Sequence, residues 1–159
     1  MIQLHSRWQN PRHPAPKKSE LRSFAHAAAV AAGLPVEPQW DLNLLFVGDI
    51  SMARYNMELL GHEGTTDVIT YSYFDDTDEW EKNDTMVELI INPDAAAREG
   101  VNREGGYSRE VALYLVHGLL HSAGEDDLTP GPRRRMRRRE QECLTELAKE
   151  FDFAEIFKA

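Results

Sequence analysis

The chain has one cysteine, Cys143, in 159 residues. No disulfide can form within it, which suits a reducing cytosol. Nothing near Cys143 in sequence would lower its pKa, so it reads as a small core residue of the last helix rather than a nucleophile. No apolar run reaches the length of a membrane span. The opening stretch, MIQLHSRWQNPRHP, lacks the apolar core of a signal peptide, and a cytoplasmic location is expected. Positive charge is in deficit, with 18 Lys and Arg against 27 Asp and Glu and a net charge of −9. That balance argues against a non-specific nucleic-acid coat but leaves room for a local basic face. Internal repeats and low-complexity linkers are also missing. What remains, 42% hydrophobic and 28% charged residues, is the composition of a globular domain with a sizeable core.

The pattern along the chain predicts a single α+β domain, with a sheet of about four strands packed by helices. Ile2 to Trp8 alternates and reads as a strand; the proline-bearing stretch from Asn10 to Pro16 reads as a loop. Lys17 to Ala32 reads as a helix, with Leu21, Phe24, Ala25, Ala28, Ala29 and Ala32 at helical spacing and His26 on its polar side. Trp40 to Val47 is apolar on both faces and reads as a central strand. Asp49 or Ser51 is expected to cap a helix running to Leu60, with Met52, Tyr55, Leu59 and Leu60 inward. Thr66 to Phe74 and Thr85 to Asn92 read as an antiparallel pair joined by an acidic loop over 75–84. Asn92-Pro93-Asp94 starts a short helix that ends near Gly100. Thr129-Pro130 is expected to start the final helix in the same way, running to Phe151.

The chemistry concentrates in Val111 to Asp127, VALYLVHGLLHSAGEDD. From Val111 to Leu120 this stretch is apolar apart from His117 and Gly118, the mark of a buried helix. His117 and His121 are four apart, so a helix stacks both imidazoles on one face. Gly124 suits the left-handed cap that ends such a helix, and the turn brings Glu125, Asp126 and Asp127 back towards the histidines. Two histidines, a glycine turn and a third donor are metal-site spacing, and catalytic zinc takes three protein ligands with one position open. His117, His121 and Asp127 are the expected ligands of one zinc ion per chain. Gly118 stands where a zinc protease of this spacing would carry its general-base Glu, which argues against a protease. No general base is evident, and Glu125 and Asp126 are the nearest acidic candidates in sequence.

The last helix adds two features. Met136, Cys143, Leu144, Leu147 and Phe151 form its apolar stripe, and Glu140 falls within that stripe. A carboxylate there either reaches solvent at the stripe's edge or supports a neighbouring site through a hydrogen bond. Six arginines, Arg133, Arg134, Arg135, Arg137, Arg138 and Arg139, crowd the helix's first turns against its dipole. They are either a solvated face paired with the chain's acids or a phosphate-binding surface, with Arg133, Arg134, Arg137 and Arg138 as candidate RNA contacts.

Together these stretches resemble the YbeY family of bacterial ribosomal-RNA maturation endoribonucleases. That family's H-G-x-L-H-x-x-G-x-D-H reads here as His117-Gly118-Leu119-Leu120-His121-Ser122-Ala123-Gly124-Glu125-Asp126-Asp127. Thr66-Asp67-Val68-Ile69-Thr70-Tyr71 is similar to its T-D-V-L-S-F strand, Asn56 to the Asn of the preceding helix, and Met136 with Glu140 to its M-x-x-x-E. Val87-Glu88-Leu89-Ile90-Ile91 is similar to its G-[DE]-I strand without the Gly. The resemblance spans about 40–150. It implies metal-dependent cleavage of single-stranded RNA in ribosomal-RNA maturation and ribosome quality control, with ribosomal RNA or ribosomal particles as partner. Two positions depart from the family. Its last histidine is Asp127, and a basic residue six positions before Thr66 is Leu60, a role for which Arg54 or the arginine run could substitute. Both departures lend weight to a rival reading, a ribosome-assembly or RNA-binding factor with a modified metal site and no cleavage.

Overall fold

A computed structural model describes residues 2–72 and 86–159. The chain runs β1 (Ile2–Trp8), α1 (Lys18–Ala31), β2 (Trp40–Phe46), α2 (Asp49–Leu60), β3 (Val68–Ser72), β4 (Met86–Ile91), α3 (Pro93–Gly100), α4 (Gly106–Ser122), α5 (Pro130–Ala148) and α6 (Phe153–Ile156). The four strands form one mixed sheet in the order β1-β2-β4-β3. β1 pairs with β2 and β2 with β4 in parallel, while β3 lies antiparallel along β4, Val68 opposite Ile91. The expected antiparallel pair is therefore present, and the acidic loop expected over 75–84 lies outside the described residues.

Alternation decides which face of the sheet is buried, because successive strand side chains point to opposite sides. Trp40, Leu42, Leu44 and Phe46 of β2 and Val87, Leu89 and Ile91 of β4 point into the main core with α1, α4 and α5. Burial of each large apolar side chain contributes about 1.5–3 kcal/mol. Phe24, Trp40, Phe46 and Phe157 are all fully buried and anchor this layer. The other face carries a smaller cluster, Val47, Met52, Ile69 and Ile90, with Leu45 and Tyr55 against it.

α2 covers that smaller cluster, and its inward face is narrower than expected. Met52 and Asn56 are buried, but Leu59 and Leu60 are 41% and 47% exposed. Neither Asp49 nor Ser51 caps α2; Gly48 holds that position, and Asp49 sits in the first turn bound to Arg98. Asn56 closes the following loop by donating its amide to the Gly64 carbonyl at 2.9 Å. At α3 the expected cap is present, with the Asn92 side chain accepting from the Asp94 N–H. Thr129 makes no side-chain cap on α5, which ends at Ala148 rather than Phe151, and the short α6 follows. Cys143 is buried against α1, and burial pushes its thiol pKa up.

Candidate metal centre

α4 places the two histidines, and packing explains the glycine between them. A Cβ on Gly118 would lie 2.7 Å from Leu89 Cδ2 and 3.2 Å from Thr70 Oγ1. Leu89 is fully buried, so this turn of α4 sits too close to the sheet for a larger residue. One turn on, the helix ends in a Schellman motif: Glu125 N–H donates to Leu120 and Gly124 N–H to His121, with Gly124 at φ +105°. That geometry reverses the chain and returns Asp127 to the histidines.

The returning loop is fastened to α5. Arg133 donates from Nε to the Asp127 carbonyl at 3.1 Å, and Arg135 pairs with Glu125 at 3.0 Å. Asp126 accepts from the Leu128 N–H. Glu125 and Asp126 are thus both engaged in holding the turn. Asp127 alone faces the histidines, its two oxygens 3.6 Å from His117 Nε2 and 3.6 Å from His121 Nε2.

The donor set fits a zinc-sized ion. Zinc bonds of about 2.0–2.1 Å in a tetrahedron place neighbouring ligand atoms about 3.4 Å apart. The three side chains each offer an atom within 4.8 Å of the others. His117 presents Nε2 because its Nδ1 is held by Glu140 at 2.8 Å. Glu140 thus faces a histidine from the apolar stripe of α5, with 13% of its side chain exposed. Burial opposes charge on His117, but the Glu140 hydrogen bond and charge, helped by Asp127 and Asp67, outweigh it and raise the imidazole pKa. The carboxylates therefore create a site that attracts positive charge.

The family model described as Endoribonuclease YbeY matches residues 8–148. The chain belongs to the YbeY endoribonuclease family. Curated relatives named Endoribonuclease YbeY include one from Syntrophotalea carbinolica, 31% identical over 72% of this chain and 77% of that protein. The relative from Parabacteroides distasonis is 28% identical over 86% of this chain and 90% of its own length. That from Frankia alni is 29% identical over 74% and 68%. The solution structure of the Thermotoga maritima protein TM1509 shares the fold, with a TM-score of 0.51 at 18% identity over 94% of this chain and 93% of that one.

Two cavities share His117 in their walls. One, of about 660 Å³, runs along β3 past His117, His121 and Asp127, and Leu60 is on its wall. Among the described residues no arginine lines it. Leu60, where the resemblance expected a basic residue, thus presents an exposed apolar side chain beside the histidine pair. The other, of about 500 Å³, lies between α3, α4 and the start of β3 and is lined by Arg98, Arg103, Tyr114, His117 and Glu140 among others. Thr66, Asp67 and His117 line both. The reading by spacing missed Arg98, Arg103 and Tyr114, whose only sequence signal was the α4 periodicity that placed Tyr114 one turn before His117.

The arginine run divides by function. Arg133, Arg135 and Arg139 are engaged within the protein, Arg139 with Glu142 and the Ala31 carbonyl. Arg134, Arg137 and Arg138 are exposed, lie at i, i+3 and i+4, and have no ion pair among the described residues. Arg54, the other substitute for the residue at 60, lies 5.8 Å above the Tyr55 ring and lines neither cavity.

Proposed function

We propose that this chain is a zinc-dependent endoribonuclease that cuts single-stranded RNA in ribosomal-RNA maturation. His117, His121 and Asp127 hold one zinc ion. The observation that carries this reading is the convergence of those three donors in a chain of the YbeY family. Zinc, when bound, supplies Lewis acidity to a phosphodiester at neutral pH. Glu140 fixes the His117 tautomer so that Nε2 faces the ligand side, the role such outer carboxylates play at histidine ligands. The Arg133 and Arg135 contacts hold Asp127 in place, and Gly118 lets α4 seat against β4. Arg134, Arg137 and Arg138 form the exposed basic ridge that holds RNA phosphates.

A ribosomal substrate and a cytoplasmic location belong to the same proposal. The single buried cysteine suits a reducing compartment, and no helix of the described residues is long and apolar enough to cross a membrane. The test is cleavage of a single-stranded ribosomal-RNA fragment by wild type and His117→Ala. Cleavage by wild type and its loss in a variant with unchanged circular dichroism are expected. Full activity in the variant would overturn the assignment, and ribosome co-sedimentation without cleavage by the wild type would favour the assembly-factor reading.

A further inference from the structure

The cavity between α3, α4 and the start of β3 is not needed to hold a metal, yet it opens onto the same histidine. Its wall passes through Thr66, Asp67 and His117, which also wall the groove along β3. His117 therefore stands at a junction between the two spaces. A phosphodiester at that junction would send the nucleotides on its two sides into different cavities.

This cavity has the character of a nucleobase site. Its two arginines are neutralised in place: Arg98 by Asp49 at 2.6 Å, and Arg103 by Glu99 and Glu110 at 3.1 and 3.2 Å. Little positive charge is left to attract a phosphate. Thr65 is engaged with Asp49 and Asn92, but the Asp67 carboxylate and the Thr66 hydroxyl oxygen, which donates to Asp67, can still accept, while Leu113 and Ala95 supply apolar wall. Tyr114 is only 3% exposed, and its hydroxyl lies out of solvent beside Glu110. Its neighbour Glu110 has both oxygens turned to Arg103. A base edge, carrying donors on a flat ring, matches a wall that combines carboxylate and hydroxyl acceptors with apolar side chains. A volume of about 500 Å³ is ample for one nucleoside.

We infer that this cavity is a nucleoside subsite, which takes the base of the nucleotide next to the scissile phosphate while the RNA chain continues along β3. The inference rests on the endoribonuclease reading and names the part of the substrate that each cavity receives. Leu113 and Tyr114 are then binding residues for RNA and not for the metal.

The test needs no metal in its first readout. Binding of a short single-stranded RNA is measured by fluorescence anisotropy on the full chain, moving one abasic nucleotide along the oligonucleotide. One position, adjacent to the cut site mapped with zinc-loaded enzyme, is expected to weaken binding about tenfold, the order of one lost base contact. Leu113→Trp, which fills the cavity, is expected to weaken binding of intact RNA by the same factor and to add nothing to the abasic loss. Metal content should stay at the wild-type level in that variant. Equal binding at every abasic position, with cleavage intact, would overturn the subsite and leave the endoribonuclease reading standing. No RNA binding or cleavage by wild type would overturn both. The abasic series on wild type decides the matter even where Leu113→Trp fails to fold.

Discussion

Replacing Glu140 tests whether an acid 23 residues from His117 tunes the metal site. Its carboxylate accepts from His117 Nδ1 at 2.8 Å with 13% of the side chain exposed, so solvent screens the pair little. A hydrogen bond to a charged group of this kind contributes about 1.5–3 kcal/mol. Glu140→Gln keeps an acceptor oxygen at the same reach and removes the charge, so about half of that is lost. Zinc affinity is then expected to fall about tenfold, at about 1.4 kcal/mol per decade. Glu140→Ala removes the acceptor as well, frees the His117 ring and should cost up to about 100-fold, the upper end for such supporting residues. The assay is competition for zinc against a chromophoric chelator at fixed pH, with a thermal melt of each apo protein as control. Wild-type affinity in both variants would refute the reasoning, since Glu140 would then be only a filled position on the α5 stripe. A loss equal in the Gln and Ala variants would refute the part assigned to the hydrogen bond.

Gly118→Ala gains about 1 kcal/mol of helix propensity, but its Cβ would sit 2.7 Å from a buried Leu89 methyl, and overpacking costs about 1–3 kcal/mol. A net loss of about 1 kcal/mol is expected in a urea melt, and a gain would contradict the close seating of α4. Arg98, through its hydrogen bond, holds the Asp49 pKa at about 2 against an ordinary 3.8. A depressed folded pKa stabilises above the unfolded value and fades as pH falls through about 2. With screening at the half-exposed Arg98, that depression contributes about 1 kcal/mol. Asp49→Asn should therefore be less stable than wild type at pH 6 and close to it near pH 2, and a gap that widens in acid would reverse the sign. Replacing Arg134, Arg137 and Arg138 with Ala should lower the slope of log binding constant against log salt by about 2, at about 0.7 per single-strand phosphate contact. An unchanged slope would remove the ridge from the RNA interface.

The parts of this molecule that rest on local periodicity were legible in its sequence. The four-residue spacing of His117 and His121, the turn at Gly124 and the cap at Asn92 each depend on residues within one or two turns of one another, and all three are present. The place of Glu140 on the α5 stripe was visible as an anomaly, and its contact with His117 accounts for it. α2 misled because its apolar residues outnumber the surface it has to cover. The outer face of the sheet offers only a small cluster, so Met52 fills it and Leu59 and Leu60 are left outside. The Asp49–Arg98 pair joins residues 49 positions apart across two elements, which no local pattern encodes. The division of the arginines was hidden for the same reason. A helical wheel separates apolar from polar faces, but only the fold shows that Arg133 and Arg135 reach back to the loop that follows α4. The second cavity arises where α3, α4 and β3 meet, so it had no sequence signature of its own.

The central claim is that Asp127 completes a three-ligand metal site where the family carries histidine. Metal content per chain, by elemental analysis of purified wild type and Asp127→Ala after zinc loading and removal of excess, tests it most directly. The account predicts about one zinc in wild type and a large loss in the variant. Full zinc in Asp127→Ala, or none in wild type, would contradict it.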